Sequence, residues 1–128
     1  MIRIYDRKGF DELLCVDAST LRAQDLSRAQ LPQAALVEMD LRGANLSHAN
    51  LADADLRLAR LEGADLSHAD LGGADFSGSD LRNADLSHAR IQGAKFDGAL
   101  LEGARLPASA GPAGIAIRVE TGPGPGPR

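Results

Sequence analysis

Serine, histidine and aspartate stand close together at intervals in this chain, and that combination can carry out hydrolytic chemistry. Asp65, Ser67 and His68 form one such set, and residues 85–88 repeat it. A nucleophilic serine needs a single oriented line of acid, base and nucleophile in a sheltered site. Here near-copies recur twenty residues apart, so the pattern favours a repeated structural unit over a catalytic triad. We predict that the chain is not an enzyme.

The histidines His48, His68 and His88 are also spaced by twenty residues. A zinc site needs three or four ligands at about 2.0–2.1 Å with second-shell support, and no cysteine or carboxylate obviously completes such a set. We therefore predict no metal and no cofactor. We expect the histidines to form a column on one side of the protein with Arg28 below it. Protonating all three places like charges in that column, which predicts a mild loss of stability below about pH 6.5.

Aspartates recur directly before bulky apolar residues in the middle of the chain. We call this set the acidic belt, and its members are Asp55, Asp65, Asp70, Asp75, Asp80 and Asp85. Aspartate at a turn caps backbone amides and keeps a surface hydrated. Carboxylates at a short regular spacing can also imitate the phosphate charge of duplex DNA. The acidic belt and the three histidines together are the predicted surface for a partner.

The charge of the chain is uneven. The net charge is −4, and residues 40–85 carry nine acidic and four basic side chains. A protein that binds nucleic acid directly shows a basic patch or stripe, and this middle section is the opposite. We therefore expect no direct binding of nucleic acid.

A strict period of five residues positions all of these side chains. From Leu21 to Leu106 a bulky apolar residue occupies every fifth position, and alanine stands two residues before most of them. Five residues advance an α-helix by about 500°, and an odd period flips successive side chains across a strand, so neither element buries the apolar set. Such a repeat is typical of a solenoid. Glycine, asparagine, aspartate or histidine stands two residues after most of the bulky ones, which predicts a turn with positive φ there.

A second period of twenty, seen in Leu-Ser-His-Ala at Leu46, Leu66 and Leu86, indicates four sides per coil. The Ala-(Asp/Asn)-Leu-x-Gly-like run over residues 19–106 resembles the pentapeptide-repeat proteins. The resemblance implies an all-β fold, a right-handed quadrilateral β-helix (a β-solenoid) of about four to five coils. In that fold the bulky residue and the small residue two before it point inward.

The resemblance also implies a function. It favours a non-enzymatic scaffold that presents a polar surface to a protein partner. The alternative that it implies is a DNA mimic that inhibits or protects DNA gyrase, a type II topoisomerase, or another DNA-binding enzyme. Some early repeats depart from the family pattern, so we expect the first coil or two to be less regular. These departures are Ser19, Gln24, Met39, Arg28, Gln33, Glu38 and Leu58.

We predict four segments along the chain. They are an N-terminal cap at residues 1–17, the β-helix at 18–106, a C-terminal cap strand at 107–120 and a disordered tail at 121–128. Ile2 and Ile4 alternate with a polar residue and indicate a strand. Residues 10–16 are either a second strand or, over residues 10–15, a short helix.

Three features bear on location. Cys15 is the only cysteine, which excludes an internal disulfide framework. The first ten residues are charged and lack the apolar core of a secretory signal, and no apolar run approaches the length of a membrane span. We expect a cytoplasmic protein with no membrane association and an unidentified protein partner, and the sequence leaves monomer and homodimer open.

Overall fold

Single-residue β-bridges between positions twenty apart define the architecture of residues 1–110, the part of the chain that the computed structural model describes. The parallel bridges run from Asp25–Asn45 to Asp85–Arg105. Each coil therefore contains four pentads, one on each side. The fold is a right-handed quadrilateral β-helix, which confirms the predicted all-β class.

Backbone hydrogen bonds hold each coil to the next. Leu46 N–H donates to the carbonyl of Asp65 at 2.7 Å, and Asp65 N–H donates back to the carbonyl of Ala44 at 2.9 Å. The same pair of bonds repeats along the tube. Because every side uses donors and acceptors of both neighbouring coils, the stack is held by contacts between residues far apart in sequence.

Each pentad closes with a β-turn at a corner of the tube. Ala49 N–H donates to the carbonyl of Leu46 at 3.1 Å, and His48 between them has a φ of 60°. Positive φ at the third residue of a turn is the signature of type II. All pentads between residues 23 and 103 have positive φ at this position, so the predicted turn is confirmed.

The early repeats follow the same geometry, and the expectation that they are less regular is wrong. Arg28, Gln33 and Glu38 have φ values of 62°, 61° and 60°, close to the 59° of His68 in the middle of the tube. The cost of positive φ at a side-chain-bearing residue is met by the surrounding ladder. Arg28 N–H, for example, donates to the next coil at 2.9 Å.

Leucine and alanine fill the inside of the tube. Leu46, Leu66 and Leu86 stack in one interior column and are fully buried, each 0% exposed. On another side Phe76 and Phe96 stack with parallel rings and centroids 5.2 Å apart. The predicted inward positions are therefore the observed core.

The N-terminal residues form an antiparallel hairpin of β1 (Ile2–Tyr5) and β2 (Glu12–Val16). Residues 12–16 thus take the strand alternative rather than the helix. A turn joins the strands, in which Gly9 N–H donates to the carbonyl of Asp6 at 2.9 Å.

The hairpin is paired with the first coil. Ala35 N–H donates to the carbonyl of Tyr5 at 2.8 Å. In the middle of the tube the equivalent N–H donates to a carbonyl of the preceding coil, as Asp55 N–H does to Ala34. Ile4 is 1% exposed and belongs to the same core as the leucines. The hairpin therefore covers part of the first coil and satisfies some of its backbone groups.

The last coil ends in a single 3₁₀ turn, Ala108–Ala110, whose Ala110 reaches the core. Leu106, the last in-frame leucine, is 41% exposed. The rest of the predicted cap strand and the predicted disordered tail, residues 111–128, lie outside the described residues. Within residues 1–110, no helix has the length and apolarity needed to cross a membrane.

Candidate functional site

One side of the tube, which we call the histidine face, carries three polar columns. Its flat centre holds Asp25, Asn45, Asp65 and Asp85, and its corner holds Ser27, Ser47, Ser67 and Ser87 followed by Arg28, His48, His68 and His88. Members of one column come from successive coils because they are twenty residues apart. The histidine face is the most uniform polar surface that the repeat builds.

The three imidazoles stack along the corner as predicted. The ring centroids of His48 and His68 are 4.7 Å apart, and those of His68 and His88 are 4.8 Å apart. The rings are tilted by only 4° and 17° to each other. Parallel rings at this distance do not direct nitrogen lone pairs to one ion at about 2 Å. No group of three metal-ligating side chains is found among the described residues.

The serine and aspartate side chains are bonded to each other rather than to histidine. Ser67 Oγ donates to Asp65 Oδ1 at 2.6 Å, and Ser67 N–H donates to the same oxygen at 2.9 Å. In a triad the serine hydroxyl instead donates to the imidazole, which the aspartate orients. The arrangement here is a turn cap that repeats from coil to coil.

The acidic belt does not form one surface. Asp65 and Asp85 lie on the histidine face, Asp70 on the second side, Asp55 and Asp75 on the third, and Asp80 on the fourth. A flat partner contacts one side or two adjacent sides of a square tube. The belt therefore offers only a few of its carboxylates to any one partner.

All six carboxylates of the belt cap the turn that follows them. Each accepts a hydrogen bond from the backbone N–H two residues later, at 2.9–3.3 Å. This bond satisfies an amide at the corner, as expected for aspartate in a turn. Aspartate at this position of the repeat therefore has a structural role in the turn, independent of any contact with a partner.

Arginines pair with four members of the belt. The pairs are Asp55–Arg57 at 2.8 Å, Asp80–Arg82 at 2.5 Å, Asp70–Arg90 at 3.2 Å and Asp85–Arg105 at 3.9 Å. Hydrogen bonds from Arg57 hold the pKa of Asp55 below its ordinary value. Among the described residues, only Asp65 and Asp75 of the belt have no ion pair.

The ion pairs of Arg57 and Arg82 were not predicted from the sequence, although a signal for them was present. Asp-Leu-Arg occurs at residues 40–42, 55–57 and 80–82. Both polar residues flank an inward leucine, so both point outward and can form a bidentate ion pair. Asp40 accepts hydrogen bonds from Arg42 Nε and Nη2 at 2.8 and 2.6 Å. These bonds are the main cause that lowers the pKa of Asp40 to about 2.

The fourth side is neutralised by its own charges. It carries four acidic side chains, Asp40, Glu62, Asp80 and Glu102, and four basic ones, Arg22, Arg42, Arg60 and Arg82. Glu62 lies 3.8 Å from Arg60 and 3.9 Å from Arg82. Glu62 Oε1 is buried without a hydrogen bond, because 3.8 Å is too long for one. The charges of this side are therefore balanced within the side.

A comparison with models of protein families identifies the repeat. The family described as pentapeptide repeats matches residues 25–63 and 64–103, in eight copies. A comparison with curated proteins gives no match.

Solved structures show the same similarity. The chain is 37% identical to alr5209, a pentapeptide repeat protein from Nostoc PCC 7120, over 76% of this chain and 85% of that one, with a TM-score of 0.61. It is 32% identical to Rfr23 from the cyanobacterium Cyanothece 51142, over 66% and 50% of the two chains, with a TM-score of 0.36. It is 25% identical to QnrB1, a plasmid-mediated fluoroquinolone resistance protein, over 78% and 50%, also with a TM-score of 0.36. The chain spans half the length of these last two proteins.

Proposed function

The chain belongs to the pentapeptide-repeat family, and from this premise we propose that it is a non-enzymatic scaffold whose polar surface binds another protein. The observation that supports this most is the contrast between the inside and the outside of the tube. Residues 1–110 enclose no pocket in which chemistry can be sheltered. The outer side chains instead stand in fixed columns, such as the imidazoles 4.7 Å apart.

A rigid array of this kind suits recognition. Side chains that are already ordered lose little conformational freedom when a partner binds, which improves affinity. We propose the acidic belt and His48, His68 and His88 as the contact residues. The histidine face comes first among the sides, because its imidazoles are exposed and Asp65 has no arginine partner among residues 1–110.

Affinity capture with matched variants tests this function. The tagged full chain is incubated with native lysate, and retained proteins are compared with those on empty resin. The test variant replaces His48, His68 and His88 with glutamine, which the fold accepts at a φ of 61° in Gln33. The control, Asn83→Gln, makes the same kind of change at a corner of another side. We expect a protein that the control retains and the test variant loses. If the tagged chain retains no protein that empty resin does not also retain, the scaffold function is contradicted.

DNA mimicry towards a type II topoisomerase is the second candidate. The observation in its favour is the bridge pairing of Asp55 with Asp75 and of Asp65 with Asp85, which stacks carboxylates on two sides. It ranks second because four of the six belt carboxylates have arginine partners and the belt is divided over four sides. A gyrase supercoiling assay decides the matter, since an absence of inhibition at micromolar protein removes this candidate.

We also propose a cytoplasmic location. Cys15 is exposed and unpaired with any cysteine, and free exposed thiols suit a reducing compartment. Fractionation of cells that produce the full chain tests this proposal.

A further inference from the structure

We propose that the histidine face binds the histidine face of a second copy of this chain, with the two tubes side by side and parallel. This inference rests on the proposed function, because it names one protein that the binding surface recognises. It follows from the way in which two chemically opposite columns share one side of the tube.

The two columns are self-complementary under a two-fold rotation. An axis parallel to the tube, running along the serines between the columns, places the central column of one copy against the corner column of the other. The opposed pairs are Asp25 with Arg28, Asn45 with His48, Asp65 with His68, and Asp85 with His88. Three of these four pairs join an acid to a basic or protonatable side chain. Such a contact is isologous, the symmetry of most homodimers.

The spacing of the columns favours another β-helix as the partner. The imidazoles are 4.7 and 4.8 Å apart, which is the rise of one coil. An extended peptide presents side chains on one face only every ~6.6 Å, so its carboxylates fall out of step with the rungs. A second copy has the same rise and stays in register from Arg28 to His88.

Protonation of the imidazoles strengthens this contact. The charged groups that surround the histidine column are Asp65 and Asp85 on the same face, Asp70 and Arg90 on the next side, and Arg28 and Arg105 at the two ends. In an isolated copy, adding a proton to each imidazole sets like charges 4.7–4.8 Å apart. The carboxylates of the second copy offset that repulsion. The dimer is therefore favoured at acidic pH, where the imidazoles carry a proton.

Cysteine crosslinking locates the axis. In a Cys15→Ser background, Ser67→Cys places a thiol next to the two-fold axis, opposite the same thiol of the second copy. Ser77→Cys is the matched control, because Ser77 Oγ donates to Asp75 Oδ1 at 2.6 Å on another side, as Ser67 Oγ does to Asp65. Under mild oxidation at pH 6 we expect a disulfide-linked dimer from Ser67→Cys and none from Ser77→Cys. Equal crosslinking of both, or of neither, overturns the proposed geometry.

Sedimentation of the purified chain measures the pH dependence. We expect the dimer dissociation constant to rise roughly tenfold or more from pH 6 to pH 8, since several weak ion pairs are lost together. The glutamine variant of the three histidines should lose this dependence, while Asn83→Gln keeps it. A chain that stays monomeric at both pH values overturns the proposal. If that monomer still captures another protein through the histidine face, the scaffold function stands and only the second copy is refuted.

Discussion

Replacing Ser79 with alanine should stabilise the protein. Ser79 occupies an inward position that alanine fills in most repeats, and it is 0% exposed. Its Oγ is buried and has no hydrogen-bond partner. The equivalent residues one coil below and one coil above are Ala59 and Ala99, both 0% exposed. The interior at this site is therefore shaped for a methyl group.

The magnitude follows from the cost of the lone hydroxyl. A buried hydroxyl without a partner costs about 1–3 kcal/mol. Removing the oxygen also forfeits a few van der Waals contacts, which returns a fraction of that gain. We expect the free energy of unfolding to rise by about 1–2 kcal/mol. For a chain of this size each kcal/mol moves the melting temperature by roughly 4 °C.

Urea unfolding followed by circular dichroism gives the free energy, and an unchanged m-value shows that the compactness of the two states is preserved. The reciprocal variants Ala59→Ser and Ala99→Ser are the controls, and each should lose about as much stability as Ser79→Ala gains. A lower free energy of unfolding for Ser79→Ala refutes the reasoning. It would mean that the hydroxyl finds a partner, such as a buried water, in solution.

Three further predictions concern the turn, the acid range and the core. Gly73→Ala should cost more stability than Gly43→Ala, because both glycines have φ near 70° but a Cβ at Gly73 would clash with Asp53 Oδ1, which must then move, while one at Gly43 meets nothing; equal melting temperatures for the two variants contradict this. Asp40 has a pKa lowered from 3.8 to about 2, so its ionised form stabilises the fold fully above pH 3.8 and this contribution is lost as pH falls through 2. Asp40→Asn should therefore be less stable than the unmodified chain at pH 6 and should approach it by pH 2; a gap in urea midpoints that is constant with pH counts against the ion pair. Leu66→Asp buries an unpaired charge in the interior column, and loss of the folded circular dichroism signal at room temperature is expected, whereas an unaltered melting curve places Leu66 outside the core.

Some features of the site depend on the tertiary structure. The sequence placed Asp65, Ser67 and His68 near one another, but a spacing in the chain does not say which group donates to which. The structure shows serine donating to aspartate and leaves the imidazole to stack on its neighbours. The distribution of the acidic belt over four sides follows from the period of twenty, yet its pairing with arginines depends on rotamers that a period does not reveal.

The early repeats show where local preference fails. Arginine, glutamine and glutamate are poor choices for positive φ, and reading them one residue at a time predicts irregular coils. In the tube each turn is bonded to neighbouring coils, so the ladder imposes the same backbone on favourable and unfavourable residues alike. Local preference is overridden because long-range hydrogen bonds are shared by every coil.

The period of five by itself predicted a solenoid, its inward residues and its corners, because neither a helix nor a flat strand buries a bulky residue at every fifth position. The period of twenty predicted four sides per coil, and the right-handed β-helix came from the resemblance to the pentapeptide-repeat proteins. The N-terminal segment needed the structure, since the sequence allowed a second strand over residues 10–16 or a short helix over residues 10–15. The tertiary structure also decided which carboxylates have no ion pair and which side chains bond to or stack on their neighbours. These are properties of neighbouring coils, whose contacting side chains lie twenty residues apart in the chain.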